Sequence, residues 1–149
     1  MIAAYALWPR SALDGVTFVT LQGDSLKLRD LRGKVVLVNF WATTCPACVK
    51  EMPELVQIYE RYRAPGFEIV AVAMAYDPPV SVKAFAQRHA LPFPVALDPK
   101  GNIANAFGGV KVVPTTYIID KDGQIQSRTL GLIALDKVSA YLDSTLGKI

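Results

Sequence analysis

The stretch that decides the fold runs from Val35 to Leu55 and reads VVLVNFWATTCPACVKEMPEL. Val35 to Phe40 is a nearly continuous apolar run, the pattern of a central strand buried on both faces. The chain then turns, and Pro46 suits the first position of a helix, where its missing N–H costs nothing. Val49, Met52, Leu55, Val56 and Tyr59 follow at spacings of three and four, a core-facing helical stripe. Pro53 lies inside that stripe and is expected to kink the helix, because it removes a donor and clashes with the preceding turn. At the strand-to-helix junction stand Cys45 and Cys48, the only cysteines in the chain.

Two cysteines three residues apart at a helix start face the same way. Cys45 is expected at or just before the first turn, where unpaired backbone N–H groups and the positive end of the helix dipole stabilise a thiolate. It is therefore the predicted nucleophile, with a pKa below the free-thiol value of about 8.5. Cys48, one turn inside, is the predicted resolving thiol. In the cycle this implies, the Cys45 thiolate attacks a substrate disulfide and forms a mixed disulfide. Cys48 then attacks Cys45, and the substrate leaves reduced while Cys45 and Cys48 become the disulfide. A structural disulfide is the weaker reading, since closing so short a loop removes little chain entropy. A zinc site needs about four ligands, and only Cys45, Cys48 and His89 are good candidates. His89 itself reads as a surface residue near a helix end.

Working outward, 149 residues make one domain with a real core. Hydrophobic residues reach 52% and charged residues only 19%, which excludes disorder. The net charge of +3 is spread along the chain, without the basic cluster that nucleic-acid binding needs. No stretch approaches the ~20 apolar residues of a membrane span. Met1 to Trp8 (MIAAYALW) is apolar but short and lacks a basic leader. It has two readings: a first strand or loose tail, or the trimmed end of a signal or membrane-anchor segment, with Trp8 at the old interface. Residues 1–10 are accordingly set apart as a tail, and residues 11–149 as the domain.

In chain order, Val16 to Thr20 alternates like a strand, Gly23-Asp24-Ser25 turns it, and Leu26 to Leu28 returns, an N-terminal hairpin. Phe67 to Ala75 is the next buried strand, so strand, helix and strand imply a parallel right-handed crossover. Ser81 is expected to cap a helix through Arg88, with Val82, Phe85 and Ala86 on one face. Pro92 to Leu97 is short and extended, and Asn102 to Phe107 is a brief helix closed by Gly108-Gly109. Thr115 to Ile119, the turn Asp120 to Gly123 and Gln124 to Leu130 form a hairpin. Ala134 to Leu146 is an amphipathic helix with Leu135, Val138, Tyr141, Leu142 and Leu146 inward. The order is βαβ, an inserted helix, then ββα: an α/β fold with a mixed central sheet flanked by helices.

WATTCPAC after an apolar strand resembles the thioredoxin superfamily. LRGKVVLVNFWA before the motif, CxxCxxExP within it, the helix inserted after FEIVAVAMA, and VVPTTYIIDKDGQI near the end resemble its TlpA/ResA-like branch. That branch comprises extracytoplasmic reductases, cytochrome c maturation proteins among them, and the similarity runs from about Leu21 to Leu146. The resemblance implies a thioredoxin-like fold. It assigns Val113-Pro114 as the cis-proline loop beside the dithiol, whose backbone pairs with an extended substrate segment. Trp41 matches the family tryptophan before the motif. Pro46-Ala47, between the cysteines, is closer to the Pro-Thr pair of maturation reductases than to the Gly-Pro of thioredoxin or the Pro-His of strong oxidants. Asn39 replaces the buried Asp of cytoplasmic thioredoxins, and an amide cannot take the Cys48 proton. Glu51 matches a Glu that the extracytoplasmic branch can use instead; by its position alone it is equally an ordinary first-turn Glu favoured by the helix dipole. Thr44 replaces a second tryptophan and thins the apolar rim around Cys45.

The expected function is thiol–disulfide exchange with protein disulfides outside the cytoplasm, in the bacterial periplasm or at the periplasmic face of the inner membrane. The direction is expected to be reductive, on a specific client such as an apocytochrome haem-binding pair or a metallochaperone. The expected partners are that client and an upstream electron-donor protein, with the chain a monomer. No cofactor beyond the Cys45–Cys48 disulfide and no metal are expected. The alternatives are a disulfide oxidase or isomerase of the same fold and a non-catalytic binding module. A reduction potential near roughly −270 mV marks a reductant and one near roughly −120 mV an oxidant. A peroxiredoxin is disfavoured, because Ala42 and Val38 stand where those enzymes want Thr or Ser and Pro.

Overall fold

The computed structural model describes residues 13–147. The two readings of Met1 to Trp8 fall outside the described residues. The elements in chain order are β1 (Thr17–Thr20), β2 (Ser25–Lys27), a 3-10 turn (Leu28–Leu31), β3 (Val35–Trp41), α1 (Pro46–Tyr62), β4 (Phe67–Ala73), α2 (Pro79–Arg88), β5 (Val95–Leu97), α3 (Asn102–Ala106), β6 (Thr115–Ile119), β7 (Ile125–Leu130) and α4 (Leu135–Leu146). The strands form one mixed sheet in the order β2-β1-β5-β4-β3-β6-β7. β3 is central, parallel to β4 and antiparallel to β6, and β4 is parallel to β5. This is the expected thioredoxin-like α/β architecture.

All seven residues of β3 are buried, as its apolar run requires. Alternation sends Val35, Leu37 and Trp41 to the face covered by α1, α2 and α4. Val36, Val38 and Phe40 go to the other face, with Phe18, Leu28, Leu31, Ile103 and Phe107. Asn39 shares the α1 face by the same period, which places one amide in an otherwise apolar row.

Several local expectations are corrected. Leu28 does not extend β2; it opens the 3-10 turn and is buried under the second face. β4 ends at Ala73 rather than Ala75. Ser81 does not cap α2, which begins two residues earlier with Pro78 as N-cap and Pro79 in the first turn. Proline's fixed φ already matches the helix there, and no side-chain cap is made. α1 runs as one element through Pro53, which lies on its exposed side. Its buried face is turned from the expected stripe: Val49 and Val56 are half-buried, while Cys48, Glu51, Ile58 and Tyr62 are buried. On α4 only Leu142 is fully buried; Leu135, Val138, Tyr141 and Leu146 pack against the core from its margin.

Candidate active site

The site forms where β3 delivers the chain to α1. Cys45 is the N-cap of α1 in extended conformation, and Pro46 follows in the first turn. The Cys48 N–H donates to Cys45 Sγ at 3.2 Å, and the Cys45 N–H donates to the Ala42 carbonyl at 3.1 Å. Cys45 and Cys48 form a disulfide with Cα atoms 5.2 Å apart. Cys45 is half-buried between exposed Thr44 and exposed Pro46, whereas Cys48 is only 1% exposed; Ala47 is half-buried. Only one sulfur of the pair meets solvent, and it sits on the free N–H groups of a helix start. That asymmetry suits attack by Cys45 and resolution by Cys48.

The Val113–Pro114 peptide bond is cis. The Val113 carbonyl oxygen lies 3.6 Å from Cys45 Sγ, so this loop stands directly over the disulfide. Its far side is tied down by the Gly131 N–H, which donates to the Pro114 carbonyl at 2.8 Å. Trp41 is fully buried, tilted against Phe85 of α2 with ring centroids 5.1 Å apart. It presents no surface of its own, belongs to the same buried cluster as Cys48, and its Nε1 is a buried polar atom without a partner. His89 is exposed and stacks on Phe85 at 4.1 Å. Among the described residues no group of three or more His, Cys, Asp and Glu side chains comes together as a metal site needs.

Glu51, one turn past Cys48, is no ordinary first-turn glutamate: it is 1% exposed. Oε1 accepts from Asn39 Nδ2 at 3.2 Å and Oε2 from the Ile133 N–H at 2.9 Å. Asn39 Nδ2 also donates to Thr116 Oγ1 at 3.0 Å. Burial pushes the Glu51 carboxyl above the ordinary carboxylate range; the Ile133 amide opposes this, Glu54 adds to it, and Asn39 opposes it. A crevice of about 410 Å³ between the β6–β7 hairpin and α4, lined by Thr116, Thr129, Ile133, Val138 and Tyr141 among others, reaches the partners of this carboxylate from behind.

The sequence reading missed two features. Asn39 and Thr116 join Glu51 across the sheet, and Asp77 joins the turn before Cys45. Asp77 is 4% exposed; Oδ2 accepts from the Thr43 N–H at 2.7 Å and Oδ1 from Thr43 Oγ1 at 2.8 Å. The signal for Asp77 was present, an acidic residue closing a buried strand and preceding Pro78-Pro79, but it reads as a simple turn.

Fold and site together define a thioredoxin-fold protein that carries a CxxC disulfide at the start of a helix. Residues 10–128 match the model of the AhpC/TSA family. The chain is 37% identical over 136 residues to the thiol-disulfide oxidoreductase ResA of Halalkalibacterium halodurans, covering 90% of this chain and 76% of the relative. Against the ResA of Geobacillus thermodenitrificans the identity is 38%, over 83% of this chain and 70% of the relative. Among solved structures, a thioredoxin-family thiol:disulfide interchange protein from Chlorobium tepidum superposes with a TM-score of 0.80 at 28% identity, over 89% of this chain and 93% of that one. A solution structure of a Neisseria meningitidis protein gives 0.83 at 34%, over 90% and 89%. The chain belongs to the AhpC/TSA family and, within it, to the ResA-like thiol–disulfide oxidoreductases. It is an enzyme of thiol–disulfide exchange.

Proposed function

We propose that the enzyme reduces a disulfide in a specific protein client outside the cytoplasm, with Cys45 attacking and Cys48 resolving. The observation that carries this is the exposure difference within one helix turn: Cys45 is accessible at the N-cap, and Cys48 is sealed at 1% exposure. In the reduced enzyme the Cys48 N–H, which already points at Cys45 Sγ, holds the thiolate. The client's sulfur bonds to Cys45 and its other sulfur leaves as thiolate; Cys48 then gives up its proton and displaces the client from Cys45. Glu51 is on the same helix face as Cys48, since three residues separate them. Its raised pKa makes it the acceptor for that proton, with exchange to solvent through the crevice behind Ile133 and Thr116.

The client is an extended polypeptide, held by the Val113-Pro114 backbone and by an apolar rim. Tyr76 (63% exposed), Val112 (48%) and Leu132 (49%) each adjoin in sequence a residue that contacts the site. An apocytochrome haem-binding pair or a metallochaperone fits this description. An upstream electron-donor protein returns the Cys45–Cys48 disulfide to the dithiol, and no further cofactor is invoked. The enzyme acts as a monomer in the periplasm or at the periplasmic face of the inner membrane.

The test is trapping. Cys48→Ala, expressed in the native compartment, is expected to accumulate a mixed disulfide between Cys45 and the client, identified by mass spectrometry. Failure to capture any protein, with Cys45→Ser indistinguishable from wild type in disulfide reduction, would return the chain to a binding module. A potential near roughly −120 mV rather than roughly −270 mV would reverse the direction of electron flow.

A further inference from the structure

The turn that carries Cys45 is held at its base by a residue from another part of the chain. Thr43 offers two donors, its main-chain N–H and its hydroxyl, and both are taken by the Asp77 carboxylate. The loop bearing Asp77 is itself fastened to the end of β3. The Met74 N–H donates to the Trp41 carbonyl at 3.0 Å, and the Asp77 N–H donates to the Met74 carbonyl at 3.0 Å. Pro78 follows at φ −60° and caps α2, and Pro79 lies in the first turn of that helix, so the backbone after Asp77 has little freedom. The carboxylate is buried, and the ion pair found among the described residues, Arg32–Asp14, is elsewhere. A carboxylate in such a place is sustained by its hydrogen bonds, and here both run to one residue, two positions before the nucleophile.

In the oxidised enzyme the disulfide fixes Cys45 relative to α1. On reduction that bond is gone. What then keeps Cys45 Sγ over the helix start is the turn Ala42–Cys45, through the Cys45 N–H to Ala42 bond and the Thr43–Asp77 pair. The thiolate gains from the helix N–H groups only while it stays there, because such stabilisation falls off within the first turn.

We propose that Asp77 is a positioning residue for the attacking thiol, mooring the CPAC turn to the β4–α2 loop so that the reduced Cys45 stays at the start of α1. It rests on the reading of Cys45 as nucleophile, which Cys45→Ser tests separately. Asp77 acts through Thr43 and makes no contact with the reacting sulfur. Its negative charge works against the thiolate while its hydrogen bonds work for it, and two variants separate these effects. Asp77→Asn drops the charge but keeps both bonds, since the amide oxygen accepts from the Thr43 N–H and the amide nitrogen donates to Thr43 Oγ1. Asp77→Ala drops charge and bonds together. The ionisable groups on the flanking segments are Cys48, Lys50 and Glu51 in the first two turns of α1 and Glu54, Tyr59, Glu60, Arg61 and Tyr62 further along it, Tyr76 on the β4–α2 loop, Lys83 and Arg88 on α2 with His89 at its end, and Lys111 before Val112. They are common to both variants, so they cancel in the comparison.

The experiment titrates Cys45 in the reduced proteins by thiolate absorbance and by the pH profile of the attack rate on a small disulfide. Thermal unfolding confirms that each variant is folded. The Asp77→Ala profile is expected to lie at least about half a pH unit above that of Asp77→Asn, with attack about twofold slower well below the pKa, because the more basic thiolate is also the better nucleophile. Coincident Ala and Asn profiles, whether shifted from wild type or not, would overturn the proposal and leave Asp77 a charge or a structural residue. Should Asp77→Ala fail to fold, Thr43→Val removes the hydroxyl from the other side of the same pair. An upward shift in that variant supports the proposal, and an unchanged profile overturns it.

Discussion

Glu51 and Ile133, eighty-two positions apart, are joined by a 2.9 Å hydrogen bond from the Ile133 main-chain N–H to Glu51 Oε2. The bond ties the second turn of α1 to the connection between β7 and α4, so one carboxylate links the dithiol helix to the last third of the chain. Because the folded pKa of Glu51 is raised above its unfolded value, the folded state binds the extra proton. The contribution of Glu51 to stability is therefore greatest below the unfolded value of 4.5 and falls as pH rises from there through the folded pKa, after which the penalty is constant. Glu51→Gln is expected to flatten that decline, so that the stability difference between variant and wild type shifts in the variant's favour as pH rises from 4 to 8. Urea unfolding at a series of pH values measures it, and parallel curves would contradict the assignment. If Glu51 also accepts the Cys48 proton, the same variant slows exchange with protein substrates above neutral pH; unchanged cysteine titrations and exchange rates remove that role.

The exposure difference between Cys45 and Cys48 gives a direct chemical test. Brief alkylation of the reduced protein with a limiting reagent is expected to label Cys45 almost exclusively, because Cys48 is 1% exposed. Peptide mapping reads the ratio. Comparable labelling of both would mean that the reduced helix start opens far enough to undo the division of labour.

Tyr62, fully buried at the end of α1, donates through Oη to Asp143 Oδ1 of α4 at 2.7 Å. Tyr62→Phe keeps the ring and deletes the bond. A loss of about 1–2 kcal/mol in unfolding free energy is expected, as for a hydrogen bond to a charged acceptor. Exchange kinetics should be untouched, since the pair lies at the opposite end of α1 from Cys45.

Asp98 is buried, and its carboxylate accepts from the Ile103 N–H at 2.9 Å and the Ala104 N–H at 3.0 Å. It caps α3 from outside the helix, where Gly101, the N-cap residue, has no side chain to do so. Asp98→Ala is expected to cost about 1–2 kcal/mol by removing the cap of two amide groups. Hydrogen exchange at Ile103 and Ala104 should accelerate ahead of the rest of the sheet.

β3, α1 and the dithiol were legible because their signals are local: an apolar run, a proline at a helix start, two cysteines one turn apart. The surroundings of Glu51 were not, because its partners come from β3 and the β7–α4 connection, with Thr116 of β6 reached through Asn39, and spacing along α1 carries nothing about them. The same holds for Asp77, whose role exists only once the β4–α2 loop is folded back on Thr43. Trp41 shows the converse. Its place at the end of an apolar strand was plain, yet only the packing of Phe85 over it shows that it is sealed from solvent. Ser81 looked like a cap because its residue type favours one, while the proline pair before it had already started the helix.

The sequence predicts only a short extended piece at Pro92 to Leu97, and the neighbours of β5 give it a larger part. Ala71, Val72 and Ala73 of β4 pair with Val95, Ala96 and Leu97, whose other edge receives Val19 and Thr20 of β1. The inserted segment is thus the keystone between the first hairpin and the parallel core, not an appendage to it. A minimised enzyme made by excising residues 74–107 would lose the seat of β1 and β2 as well. It would leave β4 with a bare apolar margin, an open template for joining other chains.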